Sequence, residues 1–374
     1  MSKESFEFPK VLEHDDYVES WYPIISDLTF KTWIFKFSLE EGILLHRIVR
    51  STFRHEAITE SDQASLDTFL SKVSNFFEKV KSESPENSGY FLRLGSRSLK
   101  DAVLYSKNAF KRLKDLLYEK YLDEYKSLQL ETREDKINWV NQKSQMKDLY
   151  NISECDIKAL KCNNISDMFE LFFNSERILV DLGREIKMTS PHFSLNFRLW
   201  DDRLDYQNEF RGFVYHHKFC ALTQYDDRLY YDHVYKNKEL ILKSITDLYE
   251  NKVRPNMQSN CPFADGTYII DFGIIFLDKD NVEAFVIEIN RFEKTTGPSL
   301  FSWEKDIETL TGQKDFEFRL IKENQYSNVD YEHIIYPDFI SFKNQVKAKV
   351  VNDNKTFIER YLTWRNDVVP QKSD

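Results

Sequence analysis

The sequence predicts an α+β fold, with helices interspersed among largely antiparallel strands. Three observations carry that prediction. Leu66, Phe69, Leu70, Val73, Phe76, Phe77 and Val80 recur at helical spacing. Strand-forming runs follow one another closely at Phe193–Trp200, Glu209–Val214 and Phe219–Gln224. Gly266 to Asn290 then reads as two long strands, rich in Ile, Val, Phe and Tyr, joined by the polar turn Asp278–Asn281.

Composition narrows the function classes. The 374 residues leave room for two or three units at about 150 residues each. With 62 Asp+Glu against 52 Lys+Arg, a formal charge of -10, the chain lacks the basic excess of a broad nucleic-acid footprint, so no nucleic-acid partner is expected. Thirty Phe and 20 Tyr mark a globular chain. Gly and Pro number only nine each, and neither GxGxxG nor GxxxxGK[ST] occurs. Cys155, Cys162, Cys220 and Cys261 form no CxxC, so neither a zinc knuckle nor a disulfide framework is indicated. The start, MSKESFEF, is no signal peptide, and nothing approaches about 18 consecutive apolar residues. A cytoplasmic monomer without membrane contact is the expectation.

Residues 1–20 are polar and acidic, and are expected to form a flexible leader. Trp21-Tyr22-Pro23 opens the ordered chain, and Thr29–Phe37 reads as a strand with Trp33, Phe35 and Phe37 on one side. A polar stretch, Thr52–Ser65, precedes the amphipathic helix, which Ser82–Ser88 breaks. Tyr90–Gly95 is a short strand. Leu113, Leu117 and Tyr121 predict a charged helix over 103–128, with polar, helix-leaning sequence to 158. Leu160–Phe173 reads as a helix with Ser166 as its cap, and Asn237–Glu250 as another. A strand is expected at Asp315–Ile321, and an ordered segment at Tyr336–Phe342.

Alternation along the long hairpin sets two faces. Ile270, Phe272, Ile274 and Phe276 are expected to share a core face with Phe285, Ile287 and Ile289. Ile269, Asp271, Gly273 and Ile275 share the other with Ala284, Val286, Glu288 and Asn290. A hairpin symmetric about Lys279 and Asp280 places Asp271 directly opposite Glu288. Two facing carboxylates repel unless something positive lies between them. Magnesium suits such a pair, since it takes a few carboxylate or carbonyl oxygens and keeps water and phosphate oxygens for the rest. Gly273 beside them would let a ligand approach the backbone. The plain alternative is a solvated sheet face without metal. His216-His217 is expected to be a solvated turn, and Asp232-His233 either an acid–base pair or a structural tyrosine–histidine corner.

Several segments, in order, resemble the cell division cycle protein 123 family of the ATP-grasp superfamily. They are Trp200, Glu209-Phe-Arg-Gly-Phe-Val214, Thr223-Gln-Tyr225, Tyr230-Tyr-Asp-His233, the hairpin ending at Asn290, and Leu300-Phe-Ser-Trp-Glu304. Further traces are Trp21-Tyr-Pro23, Ser98-Leu-Lys-Asp-Ala102, Leu160-Lys-Cys162 with Ser166-Asp167, and Tyr336-Pro-Asp-Phe339. The resemblance implies an ATP-grasp fold, two lobes holding ATP between antiparallel sheets. On that reading the lobes span 21–190, with a helical insertion at about 103–158, and 191–345, followed by a tail helix over 346–374.

The resemblance implies ATP and Mg2+ as cofactors, with Asp271, Glu288 and Asn290 as metal ligands. Glu209 and Arg211 would contact the nucleotide, as would Arg93 and Gly95, while Leu199, Trp200 and Asp201 would form the hinge that meets the adenine. Four positions depart from the family pattern. Arg93 stands for a lysine, replacing a point charge by a planar fork. Tyr225 stands for an arginine, so one phosphate contact is lost. Glu288 stands for an aspartate, and Arg291 for the proline after Asn290, where it would return positive charge near the phosphates. No catalytic residue is singled out. The expected function is that of an assembly chaperone engaging the gamma subunit of translation initiation factor 2. The alternative is a divergent ATP-grasp enzyme, a ligase or a phosphate or nucleotide transferase, which could be a microbial effector. A third reading is a scaffold that no longer binds ATP.

Overall fold

In the computed structural model the described residues are 6–10, 12–86, 88–142, 146–322 and 339–353. They contain strands β1 (Thr32–Phe37), β2 (Tyr90–Leu94), β3 (Phe193–Leu199), β4 (Glu209–Tyr215), β5 (Lys218–Gln224), β6 (Tyr268–Phe276), β7 (Val282–Arg291) and β8 (Glu317–Arg319). One sheet has the order β1-β3-β2 and is antiparallel. The other has the order β7-β6-β4-β5-β8. Its first four strands are antiparallel, but β8 runs parallel to β5, so this sheet is mixed where antiparallel strands were expected. The chain divides into two compact units, one of residues 1–107 with 160–327, the other of 108–159 with 328–374.

In the first unit both sheets belong to one body. Phe35 and Phe37 of β1 pack edge-on or tilted against Phe69 and Phe76 of the helix Glu60–Ser82, the stripe read from the sequence. The helix Leu39–Arg54 precedes it and begins at a capping box, Ser38 and Glu41 each bonding the other's backbone. The Ser-x-x-Glu pattern announces it, although the sequence reading passed over this stretch. The helix Ile165–Phe173 is capped by Asn164, whose side chain accepts from Asp167 N at 2.8 Å. Ser166 was the expected cap. It already lies in the first turn, past the point where a side chain can satisfy the helix's orphan amides. Within the expected leader, Phe8 meets Trp303 edge-on, and Val18–Ile25 is helical.

β4 and β5 are joined through His216 and His217, both at positive φ (49° and 58°), which a two-residue hairpin turn of matching twist requires. The β6–β7 ribbon contains a bulge. Asp271 pairs with Glu288 and Ile269 with Asn290, but Phe272 pairs with Val286, which leaves Ile287 as the extra residue. One extra residue exchanges the faces beyond it. Phe285 therefore lies on the Gly273 side, while Ala284 and Val286 share the side of Ile274 and Phe272, the reverse of the expectation for these three.

In the second unit Leu113, Leu117 and Tyr121 of the helix Lys107–Leu128 are buried, as their spacing predicts. Arg133–Asn141, Met146–Lys158 and Phe339–Asp353 are also helical. Asp148 lies between two buried lysines, 3.3 Å from each of Lys343 Nζ and Lys347 Nζ. Of the expected Tyr336–Phe342 segment, 336–338 lie outside the described residues, as does the tail from 354. No helix among the described residues is long and apolar enough to cross a membrane.

Candidate functional site

Register brings the predicted polar residues onto one face. β4 sets Arg211 across from Asp271 and Glu209 across from Gly273, and β7 sets Glu288 on the far side of Asp271. Directly paired residues share a face, so Glu209, Arg211, Asp271 and Glu288 form one patch in the first unit. Arg211 forks onto Asp271, Nε to Oδ1 and Nη2 to Oδ2, both at 2.8 Å. It also donates to Gly297 O at 2.5 Å, and Asn290 Nδ2 donates to Asp271 Oδ2 at 3.2 Å. Arg93, only 4% exposed on β2, donates from Nη1 to Glu288 Oε2 at 2.7 Å. The positive charge that the facing acids require is thus supplied by two arginines.

Lys100 adds a third cation. Its Nζ lies 5.1 Å from the centre of the Tyr225 ring, and Arg211 lies 4.9 Å from the same ring. Among the described residues Lys100 makes no ion pair within 4.0 Å, though Glu209, Glu288 and Asp271 all hold its pKa up against the opposing effect of burial. Glu209 is 8% exposed, and its carboxylate has no hydrogen-bonding partner among the described residues. Burial pushes it up to about 7, helped by Asp271 and Glu288 and opposed by Lys100 and Arg211. Glu288 moves the other way: Arg93 and Lys100 outweigh burial and hold it well below the usual carboxylate range.

The hinge residues lie apart from this cluster. Leu199, Trp200 and Asp201 line a pocket of about 610 Å3 with Phe30, Gly89 and Phe285, and no member of the ionic cluster lines it. Leu199 N donates to Lys31 O and Trp200 N to Gly89 O, so these two amides serve the sheet itself. Gly95 makes room for protein rather than open space, since a Cβ there would lie 2.9 Å from Glu19 Oε1 and Ser194 Oγ. The same holds for Gly273, where a Cβ would lie 2.5 Å from the Phe285 ring. The bulge has turned that ring into the room expected for a ligand. Arg291 does not face the acid pair. Its guanidinium reaches Asp15, Asp16 and the carbonyl of Leu12. Asp232 pairs with Lys236, and His233 with Asn208, so the two make no acid–base pair with each other.

Sequence reasoning missed Lys100 and Arg198. Lys100 sits in the Ser98–Ala102 segment that carries part of the family resemblance, and that was its only signal. Arg198 lies one residue before the hinge, on a strand whose alternation was not followed. Among the described residues no group of three or more His, Cys, Asp or Glu side chains converges to hold a metal ion.

Comparison with known proteins bears on this arrangement. A sequence profile of the D123 family matches residues 134–341, more than half of the chain. The chain belongs to the D123 family. It is 30% identical over 177 residues to the translation initiation factor eIF2 assembly protein of Xenopus laevis, covering 46% of this chain and 47% of that protein. It is 28% identical over 173 residues to cell division cycle protein 123 of Candida glabrata, covering 44% and 46%. The chain thus spans about half the length of the curated relatives it matches. The solved structure of Cdc123 from Schizosaccharomyces pombe superposes with a TM-score of 0.53 at 18% identity, covering 84% of this chain and all of that one. At that identity the likeness shows a shared fold for this D123 family member: mixed α/β, with one antiparallel and one mixed sheet.

Proposed function

We propose that this D123 family member binds ATP with Mg2+ in an ATP-grasp arrangement and serves the assembly of translation initiation factor 2 by engaging its gamma subunit. The assembly role follows the names of its relatives, eIF2 assembly protein in Xenopus laevis among them. The observation that carries nucleotide binding is the Asp271–Glu288 pair, held among Arg93, Lys100 and Arg211. Such a set suits the negative oxygens of a polyphosphate. The donor chemistry also fits a magnesium ion, which Asp271, Glu288 and Asn290 would hold. An ionised carboxylate offers about four acceptor positions, so Asp271 can serve Arg211 and still ligate. Magnesium, when bound, neutralises charge on phosphate oxygens. The pocket beside Leu199, Trp200 and Asp201 would take the base, with Phe30 and Phe285 as its apolar walls.

Calorimetry with Mg-ATP tests the nucleotide reading, and capture of purified gamma subunit tests the client. Magnesium-dependent binding that is lost in Asp271→Ala and Glu288→Gln is the expected result, with folding checked by thermal melting. No magnesium-dependent binding to the intact chain would overturn it.

One observation favours the enzyme reading as a second choice. Glu209, near neutrality and without a hydrogen-bonding partner among the described residues, has the character of a general base that could activate an acceptor. Labelled ATP incubated with candidate protein and small-molecule acceptors would yield a covalent product only on this second reading.

A further inference from the structure

Residues 6–10 and 12–17 form a strap that is held to the protein almost wholly by side chains. Among the described residues no backbone–backbone hydrogen bond joins 6–10 or Leu12 to anything else. The strap is rooted at one end. The amide of the fully buried Val18 donates to Gly95 O at 3.1 Å, and Tyr17 bonds Glu185 of the helix Glu176–Glu185. Its other end lies on an aromatic groove, where Phe8 meets the Trp303 ring edge-on at 5.3 Å and Phe6 tilts against Tyr215 at 6.3 Å. Both phenylalanines stay only half-buried. The groove does not depend on them. Phe213, Phe292 and Phe301 are buried beneath it, Phe292 packs edge-on against Trp303 at 5.0 Å, and Trp303 Nε1 donates to Thr296 O at 3.0 Å. Exposed aromatic surface fixed in this way is characteristic of the core of protein–protein interfaces.

Between groove and root the strap fits poorly. Arg291 donates to Leu12 O at 3.1 Å and to Asp15 Oδ1 at 2.5 Å. Asp16 Oδ1 lies 3.0 Å from the same guanidinium, yet this buried oxygen makes no hydrogen bond among the described residues. Two adjacent carboxylates thus crowd one arginine. Burial pushes the Asp16 carboxyl up, Arg291 pulls it down, and repulsion from Asp15 raises it again. Arg184 also attracts Asp16, but it lies 3.6 Å from Asp181. A segment without backbone bonds, carrying an unsatisfied buried oxygen, opens at little cost. What replaces it must offer the same chemistry: two aromatic side chains two positions apart, and a carboxylate seven positions on, as from Phe8 to Asp15.

We propose that the groove of Tyr215, Phe292 and Trp303, with Arg291 beyond it, is a docking surface for an aromatic–acidic peptide segment of a partner protein, and that the strap is an internal occupant which such a segment displaces. A single well-placed carboxylate forks onto Arg291 better than two crowded ones. Tethered at its root, the strap competes at an effective concentration of about 1 mM, so weakly matched peptides are kept out. The inference is independent of the nucleotide reading.

The test uses a fluorescent peptide of residues 6–17 carrying Lys10→Gln, which leaves it no site for trypsin. It is added to the full chain as wild type, as the loosened variant Phe6→Ser with Phe8→Ser, and as that variant with Arg291→Gln, each checked for folding by circular dichroism. Anisotropy should show at least tenfold tighter binding to the loosened variant than to wild type, and at least a tenfold loss when Arg291→Gln is added. A shuffled peptide of the same composition should bind the loosened variant at least tenfold more weakly. In wild type, millimolar peptide should speed tryptic cutting after Lys10 at least threefold, a readout that stands even if the loosened variant does not fold. Equal binding to wild type and a folded loosened variant would overturn the proposal, as would equal binding of the shuffled peptide or an unchanged cutting rate. A wild-type dimer that the peptide dissociates, seen by light scattering, would also overturn it, since a second copy's strap would then be the occupant.

Discussion

Arg211 holds Asp271 through two parallel hydrogen bonds of 2.8 Å, with the arginine side chain 9% exposed and the aspartate 1%. Pairs so enclosed are costly to break singly, by about 3–5 kcal/mol, because the surviving charge is left buried. Asp271→Ala and Arg211→Ala should each lower the unfolding free energy by about that amount. Removing both should cost much less than the sum. Urea titration of the three variants measures the coupling, and additive losses would contradict it.

Glu209 should make stability fall as pH rises. Its folded carboxyl, up at about 7, keeps a proton at pH values where the unfolded one, near 4.3, has released it. The folded state thus binds more protons between those values. The contribution is complete below the unfolded value and is lost as pH rises through about 7. Denaturant midpoints for wild type minus Glu209→Gln, collected from pH 4 to 8, should slope downward across that window, and a flat difference would refute the assignment.

Gly273 should resist substitution chiefly because of Phe285, with Leu204 Cδ1 a lesser obstacle at 3.1 Å. A methyl group at Gly273 would meet that ring at 2.5 Å, so Gly273→Ala should cost about 1–3 kcal/mol by overpacking. In a Phe285→Ala background the same change should cost far less. Equal cost in both backgrounds would place Phe285 on the opposite face and remove the bulge.

The two cap candidates of the helix Ile165–Phe173 separate cleanly. Asn164→Ala should lose about 1 kcal/mol, whereas Ser166→Ala should stay within about 0.5 kcal/mol of wild type. Chemical denaturation resolves the two, and the reverse order would restore Ser166 as the cap.

Asp148 should act as the fastener of the second unit. Lys343 and Lys347 are 0% and 1% exposed, and Asp148 is the acid beside both. Asp148→Ala should destabilise this unit by about 3–5 kcal/mol, since two buried ammonium groups lose the carboxylate that lies 3.3 Å from each. Limited proteolysis should then cut near 339–353 faster than in wild type, and an unchanged rate would count against the role.

The acid pair was anticipated although the register of the turn was not: Phe276 pairs with Val282, so the ladder from the turn would set Asp271 opposite Ile287, and the extra residue is what restores Glu288 to Asp271. Asp271 and Glu288 lie 17 positions apart, yet a hairpin has only a few registers to choose from. Glu209 and Arg211 followed from being two apart on one strand. Phe285 was misplaced because nothing local marks Ile287 as an extra residue, a bulge being fixed by the whole ladder. Arg291 was assigned to the wrong neighbourhood because its partners, Asp15 and Asp16, come from the far end of the chain. Lys100 sits in no periodic pattern, and Arg198 lies on a strand whose alternation by itself marks no role. Their significance appears only once β2, β3, β4 and β6 stand together, and that is long-range information.

Ile287 also has a bearing on how this ribbon could change length. A chain lacking that residue would continue in an unbroken ladder from Val286, and Glu288 would still arrive opposite Asp271. The carboxylates are therefore insulated from small insertions and deletions at this point. Turns of different size could be grafted onto the tip, with one residue gained or dropped at Ile287, without retuning the chemistry at the other end.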